Sequence, residues 1–191
     1  YLTKVRHPGN DLLIGQIWSS CESQAALDAV ESNMDADFKD VLKEFALLNY
    51  EESLLPECSG GFQSYPEPLL VYPEHEARQV TVDKSKPVIM NIPSLGAGYL
   101  ELENKVPKDT MPHVLIDLRD ILKNSDLSIQ AIISLDSGEE RCEDWSEREE
   151  RSFCTNFEEE NFTFLKVTIA NHNREKVQNV LLQINVDAGE C

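Results

Sequence analysis

"FTFLKVTIANHNREKVQNVLLQINV", residues 162–186, is the stretch on which the fold turns. Leu165, Val167 and Ile169 fall on one face of an extended chain, with Lys166 and Thr168 on the other. Val180, Leu182, Ile184 and Val186 repeat the pattern against Gln183 and Asn185. Alternation of this kind belongs to half-buried strands of antiparallel sheets. The connector "NHNREK" (171–176) reads as a turn between antiparallel neighbours. Working outward, "PLLVYP" (68–73), "RQVTV" (78–82), "PVIMNI" (87–92), "AGYLELE" (97–103), "HVLIDL" (113–118) and "SIQAIISL" (128–135) alternate or run apolar at strand length. With no helical period between them, these segments predict a β-sandwich, jelly-roll-like, over residues 66–191.

The N-terminal part follows a different period. Residues 11–20 place Leu13, Ile14, Ile17 and Trp18 on one helical arc after Gly9-Asn10. Residues 24–34 group Leu27, Val30 and Met34, with Ser23 available as an N-cap. In a third helix Phe38, Val41, Leu42, Phe45 and Leu48 share an arc of about 120°. Asn49 falls inside that arc and Leu47 projects from the opposite side. A buried amide needs a partner and an outward leucine wants cover, so more protein packing over these helices would explain both. A frayed helix end with an exposed leucine explains them equally well. "PECSGGFQSYPEP" (56–68) is loop by composition. The expected class is therefore α+β, with a helical segment at 1–55, a linker at 56–65 and the sandwich at 66–191.

A chain of 191 residues, 41% hydrophobic, can bury one good core, or one core plus a small helical satellite. The formal net charge of −18 repels phosphate, which argues against nucleic acid and anionic membranes as partners. The same surface suits cations or basic partners, so calcium stays open as a bound ion. No apolar run approaches the roughly 18 residues of a membrane helix. "YLTKVRHPGND" has neither a start methionine nor an apolar signal core, so Tyr1 reads as a cut end.

Five cysteines are present and none forms a CxxC pair. Cys142 and Cys154 flank the polar run "CEDWSEREERSFC", whose few apolar anchors favour a disulfide between them. Cys21–Cys58 is a second expected bridge, which leaves Cys191 free or intermolecular. "NFT" at Asn161 is a glycosylation sequon, meaningful in a secreted protein.

Candidate chemistry is sparse. His7, His75, His113 and His172 stand apart in sequence, with no HExxH, and His75 lies in a loop beside Glu74 and Glu76. "DADFKD" (Asp35, Asp37, Asp40) lacks the glycine and the final glutamate of an EF-hand loop, and Lys39 takes a ligand position. No P-loop, GxSxG or GxGxxG appears in a fitting context. The carboxylate-rich runs at 139–154 and 157–163 give no sign of two carboxyls held in different environments, as a paired-carboxylate hydrolase requires.

One resemblance runs through the helical segment. Ile14, Ile17 and Trp18, then "ALDAV" from Ala26 to Val30, then Phe45, Ala46, Asn49 and Tyr50 resemble the end of the catalytic region in secreted zincin metallopeptidases of the immune inhibitor A-like type. "SLGAGYLEL" (Ser94 to Leu102) is similar to a strand start in the sandwich that follows that region. The likeness covers residues 1–55 and, more loosely, 66–104, and its motifs are packing motifs. It implies that the HExxH helix, the third zinc ligand and the zinc itself belong to a region upstream of Tyr1. No zinc ligand and no catalytic base are therefore assigned in this chain. The expected function is the non-catalytic C-terminal portion of a secreted peptidase-like protein, whose sandwich stabilises, targets or binds. The alternative is a free-standing extracellular β-sandwich module that binds or builds. Partners would be the upstream region or another protein chain, with the oligomeric state open.

Overall fold

The alternation in residues 162–186 is realised as two long strands, but not as a hairpin. In the computed structural model of the chain, β8 (Phe162–Asn171) and β9 (Gln178–Val186) stand in different sheets. Both edges of β8 are taken, by β3 (Ala97–Asn104) and β5 (Leu127–Leu135), so "NHNREK" carries the chain from one sheet to the other. The structure describes residues 12–34, 37–50, 77–106, 114–147, 152–155 and 162–186. The expected linker at 56–65 and strand at 68–73 lie outside them, as do Cys58, Asn161, Cys191, His7, His75 and His113. Two compact units divide the chain, Tyr1–Pro73 and Glu74–Cys191.

The first unit holds α1 (Leu13–Ser20), α2 (Ala26–Asn33) and α3 (Phe38–Tyr50). The expected single apolar arc of α1 is split: Leu13 is buried, whereas Ile14 and Trp18, one turn apart, face solvent, Trp18 at 73% exposure. Ser23 is not the cap of α2. Ala25 takes that position without a side-chain bond, and Ser23 Oγ instead donates back to the carbonyl of Ser20 at 3.3 Å. Asn33 Nδ2 joins the two helices by donating to Ser20 Oγ and to Ala29 O, each at 2.8 Å. Leu47 corrects the outward-leucine expectation, because it is only 3% exposed. Val41, about 120° round the axis of α3 from Leu47, is buried too, so the covered surface of that helix is wider than one narrow face.

The second unit is a long strand hairpin rolled on itself. Its strands are β1 (Arg78–Val82), β2 (Lys86–Ile92), β3, β4 (Val114–Asp117), β5, β6 (Glu140–Asp144), β7 (Ser152–Thr155), β8 and β9. β5 pairs with β6, β4 with β7, β3 with β8 and β2 with β9, all antiparallel, so the pairs nest outward from one apex. That apex is the turn after Leu135, where Gly138 adopts φ +87, a conformation open to glycine at no steric cost. Its amide donates to the carbonyl of Leu135 at 3.1 Å. Rolling the nested pairs gives sheets in the orders β1-β3-β8-β5-β6 and β2-β9-β4-β7, the jelly-roll arrangement. The class is α+β, as the sequence predicts, with one mixed feature: β1 adds to β3 in parallel.

The pleat then fixes the core. Leu100, Leu102, Ile129, Ala131, Ile133, Leu165, Val167 and Ile169 face inward from one sheet. Val88, Met90, Ile92, Ile116, Val180, Leu182 and Ile184 meet them from the other, with Val186 partly buried beside them. Slipping any of these strands by one residue would turn its polar set inward, so the register is strongly specified. Two strands, β6 and β7, arise inside the run that the sequence presents as a polar loop. A short helix, α4 (Arg119–Leu122), follows β4 and buries Ile121.

Basic side chains close one side of the sandwich. Arg78 of β1 donates to the carbonyl of Ile89 on β2, and Lys86 of β2 donates to the carbonyl of Thr81 on β1. β1 and β2 are edge strands of their sheets, and each lends a cation to a backbone carbonyl of the other. Such charges discourage edge-to-edge association.

Candidate binding groove

The outward phase of the same strands builds an open groove on the five-stranded sheet. Gln79 stands beside Glu101 and Thr81 beside Glu103 in the parallel β1–β3 pair. Across β3 and β8, Glu101 faces Lys166 and Glu103 faces Phe164. Gln79, Val80, Thr81, Glu101, Glu103 and Phe164 line a groove of about 440 Å³. Leu165 next to Phe164 points into the core, so the alternation obliges the Phe164 ring to point outward, where it is 39% exposed. Glu103 forms an ion pair with Lys105. The groove thus combines carboxylates, an amide, a hydroxyl and a large apolar ring on a rigid sheet face. The sequence carried a signal for it: Phe164 keeps phase with Lys166 and Thr168, not with Leu165.

A second cluster lies at the end of the sandwich. Ser128 Oγ and His172 Nε2 are 2.9 Å apart, the spacing of a nucleophile and its base. His172 also donates its backbone N–H to the carbonyl of Asp126 at 2.7 Å. Ser128 is only 1% exposed, so no substrate carbonyl can reach its oxygen, and the pair reads as a buried structural hydrogen bond. Sequence spacing did not bring them together; the β5–β8 register, which sets Ser128 opposite Ala170, does.

Several carboxylates of the polar run have structural partners. Glu143 accepts the indole N–H of Trp145 at 2.8 Å and lies 3.2 Å from Arg141 Nε in an ion pair. Asp144 accepts the backbone N–H of Ser146 at 2.9 Å. Elsewhere, the Arg119 guanidinium hydrogen-bonded to Asp117 holds that carboxyl below its ordinary range. Among the described residues no group of three or more His, Cys, Asp or Glu is arranged to hold a metal.

Cys21, at the C-terminal cap of α1, carries a free thiol rather than the expected bond to Cys58. Its backbone N–H closes that turn on Ile17 and Trp18, and this fixes the residue on the helix end. Cys142 on β6 is disulfide-bonded. Trp145, just past β6, stacks on Phe153 of β7 at 4.7 Å, so the outer edges of the two sheets approach each other there. Cys154 follows Phe153 and is the partner expected for Cys142. Peptide mapping without reduction should recover that linkage, whose closed loop contributes roughly 3 kcal/mol at most. Linkage of Cys142 to Cys58 or Cys191, or a free Cys142, would show the pairing to be wrong.

No family model matches the chain, and no curated protein matches it.

Proposed function

We propose that the chain is a non-catalytic binding module of a secreted protein, with the groove on the five-stranded sheet as its ligand site. The observation that carries this reading is the pairing of a closed core with an outward groove. The jelly roll satisfies its own apolar faces, while one exposed sheet face gathers polar groups around Phe164. Ligand sites of this kind need no reacting group, only a rigid surface with placed donors and acceptors. The disulfide at Cys142 supports an oxidising, extracellular setting.

The wider setting is the C-terminal portion of a peptidase-like protein, as the metallopeptidase resemblance implies. One observation favours it: Leu12, at the N-cap of α1, and Ile14 and Trp18 on that helix present apolar surface, and Ile14 and Trp18 are positions of the resemblance. The burial of Leu47 weighs against it, since that face has its cover within this chain.

The purified chain, supplied with zinc and an unfolded protein substrate, should show no hydrolysis. It should take up zinc no better than a generic acidic surface. Stoichiometric zinc, removed by chelator together with a proteolytic activity, would overturn the non-catalytic reading.

A further inference from the structure

We infer that the groove lined by Gln79, Glu101, Glu103 and Phe164 binds a neutral sugar unit of a glycan, a deepening of the binding-module reading on which it rests. The obvious ligand for a chain of net charge −18 is a basic side chain, and the local arrangement argues against it. Glu103 is already ion-paired with Lys105, and Glu101 stands directly opposite Lys166 on the same sheet face. A lysine or arginine from a partner would have to compete with cations that the fold has already placed beside both carboxylates. An anionic ligand meets the reverse difficulty, the field of the whole acidic surface. A neutral ligand escapes both.

The remaining chemistry is that of hydroxyl recognition. Carboxylate oxygens accept hydrogen bonds from ligand hydroxyls, the Gln79 amide both donates and accepts, and the Thr81 hydroxyl does the same. Phe164 supplies a half-exposed ring whose negative face suits polarised C–H groups. A pyranose presents both kinds of surface at once, hydroxyls around its rim and C–H groups across a face. The volume of about 440 Å³ lies within the range of small-molecule sites. Because β1 is an edge strand, the groove lies at the border of the sheet, and a sugar within a longer chain need not thread into a closed cavity.

The full chain should be titrated by calorimetry with neutral hexasaccharides of glucose, mannose and N-acetylglucosamine. An anionic hexasaccharide and a lysine-rich decapeptide serve as competing classes. At least one neutral hexasaccharide should bind, with little dependence on salt. Phe164→Ala and Glu101→Gln should each weaken it by roughly tenfold. Leu181→Ala, on the other sheet, should leave binding unchanged, and thermal melts should show all three variants folded. Failure of every neutral saccharide overturns the inference, as does binding that ignores both groove substitutions. Salt-dependent binding of the lysine peptide, lost in Glu101→Gln and without saccharide binding, overturns the ligand class but leaves a binding module. Hydrolysis of a bound saccharide would instead overturn the non-catalytic reading while keeping the groove.

Discussion

Replacing Trp145 with alanine should destabilise the sandwich by about 3–5 kcal/mol, the range for emptying a large aromatic site in a core. Trp145 is fully buried, and two contacts together with the turn it opens make it the stopper of the β6–β7 side. Its ring stacks on Phe153 at 4.7 Å, so it ties the end of one sheet to the edge strand of the other. Its indole N–H donates to Glu143, which is in turn paired with Arg141. It also opens the short 3-10 turn Trp145–Glu147, in which Ser146 Oγ accepts the N–H of Ile129 at 2.8 Å and donates to its carbonyl at 3.2 Å. That exchange continues the ladder of β5 past the last residue of β6. Trp145→Phe keeps an aromatic partner for Phe153 and loses the indole donor, so it should cost much less, on the order of 1 kcal/mol. Urea melts would measure both. An alanine variant within 1 kcal/mol of the parent would mean that the edge is held by something other than this stack.

The sandwich was legible in the sequence because its central strands alternate cleanly. Leu165, Val167 and Ile169 declare a face without help from any other segment, and the structure buries all three. β6 was not legible, since an edge strand needs only part of its surface buried; "ERCED" has no apolar face to reveal it. The neighbours of β8 are hidden in the sequence for a related reason. Alternation says which face is inside but not which strand lies alongside, and that is decided by the nesting of hairpin pairs across the whole unit. In the helical unit, Leu47 reads as outward when the apolar arc from Phe38 to Leu48 is taken as the one buried face, whereas α3 also buries Ala46 and Leu47 outside that arc. The groove was half legible. Phe164 stood out of phase with the core, but only the register of β1, β3 and β8 brings Gln79, Glu101, Glu103 and Phe164 together. Ser128 and His172 lay beyond any motif reading, because a shared sheet end is their only connection.

Asn171→Asp should destabilise the fold at neutral pH by about 3–5 kcal/mol, although the two side chains have nearly the same shape. Asn171 is fully buried where β8 ends. Its Nδ2 donates to the carbonyls of Ile92 at 3.2 Å, Pro93 at 3.0 Å and Lys176 at 2.8 Å, while Oδ1 accepts the N–H of Asn173 at 3.0 Å. One amide thereby fastens the turn after β2 to the connector that crosses between the sheets. Asn173 extends the tie: its carbonyl accepts the N–H of Leu95 at 3.1 Å, and its Nδ2 donates to Asp126 at 2.8 Å. Leu95 holds φ at +52, a conformation that costs a leucine energy and persists only where its surroundings enforce it. A carboxylate at 171 would turn an oxygen toward three carbonyl oxygens, with no proton to offer them and a buried charge in addition. Such a carboxyl ionises with difficulty in the folded state, so its pKa there lies above the unfolded value. The protonated form can still donate once, and the deficit should therefore be smallest in acid and grow as the pH rises through the ordinary carboxylate range. Asn171→Ala, which removes donor and acceptor together, should lose a similar amount with no such pH dependence. Amide exchange should then quicken at residues 94–96 and 172–177 in both variants before the central strands respond. An aspartate variant as stable as the parent at pH 7 would show that the three carbonyls find other donors, and the loops at this end would owe their shape to something other than Asn171.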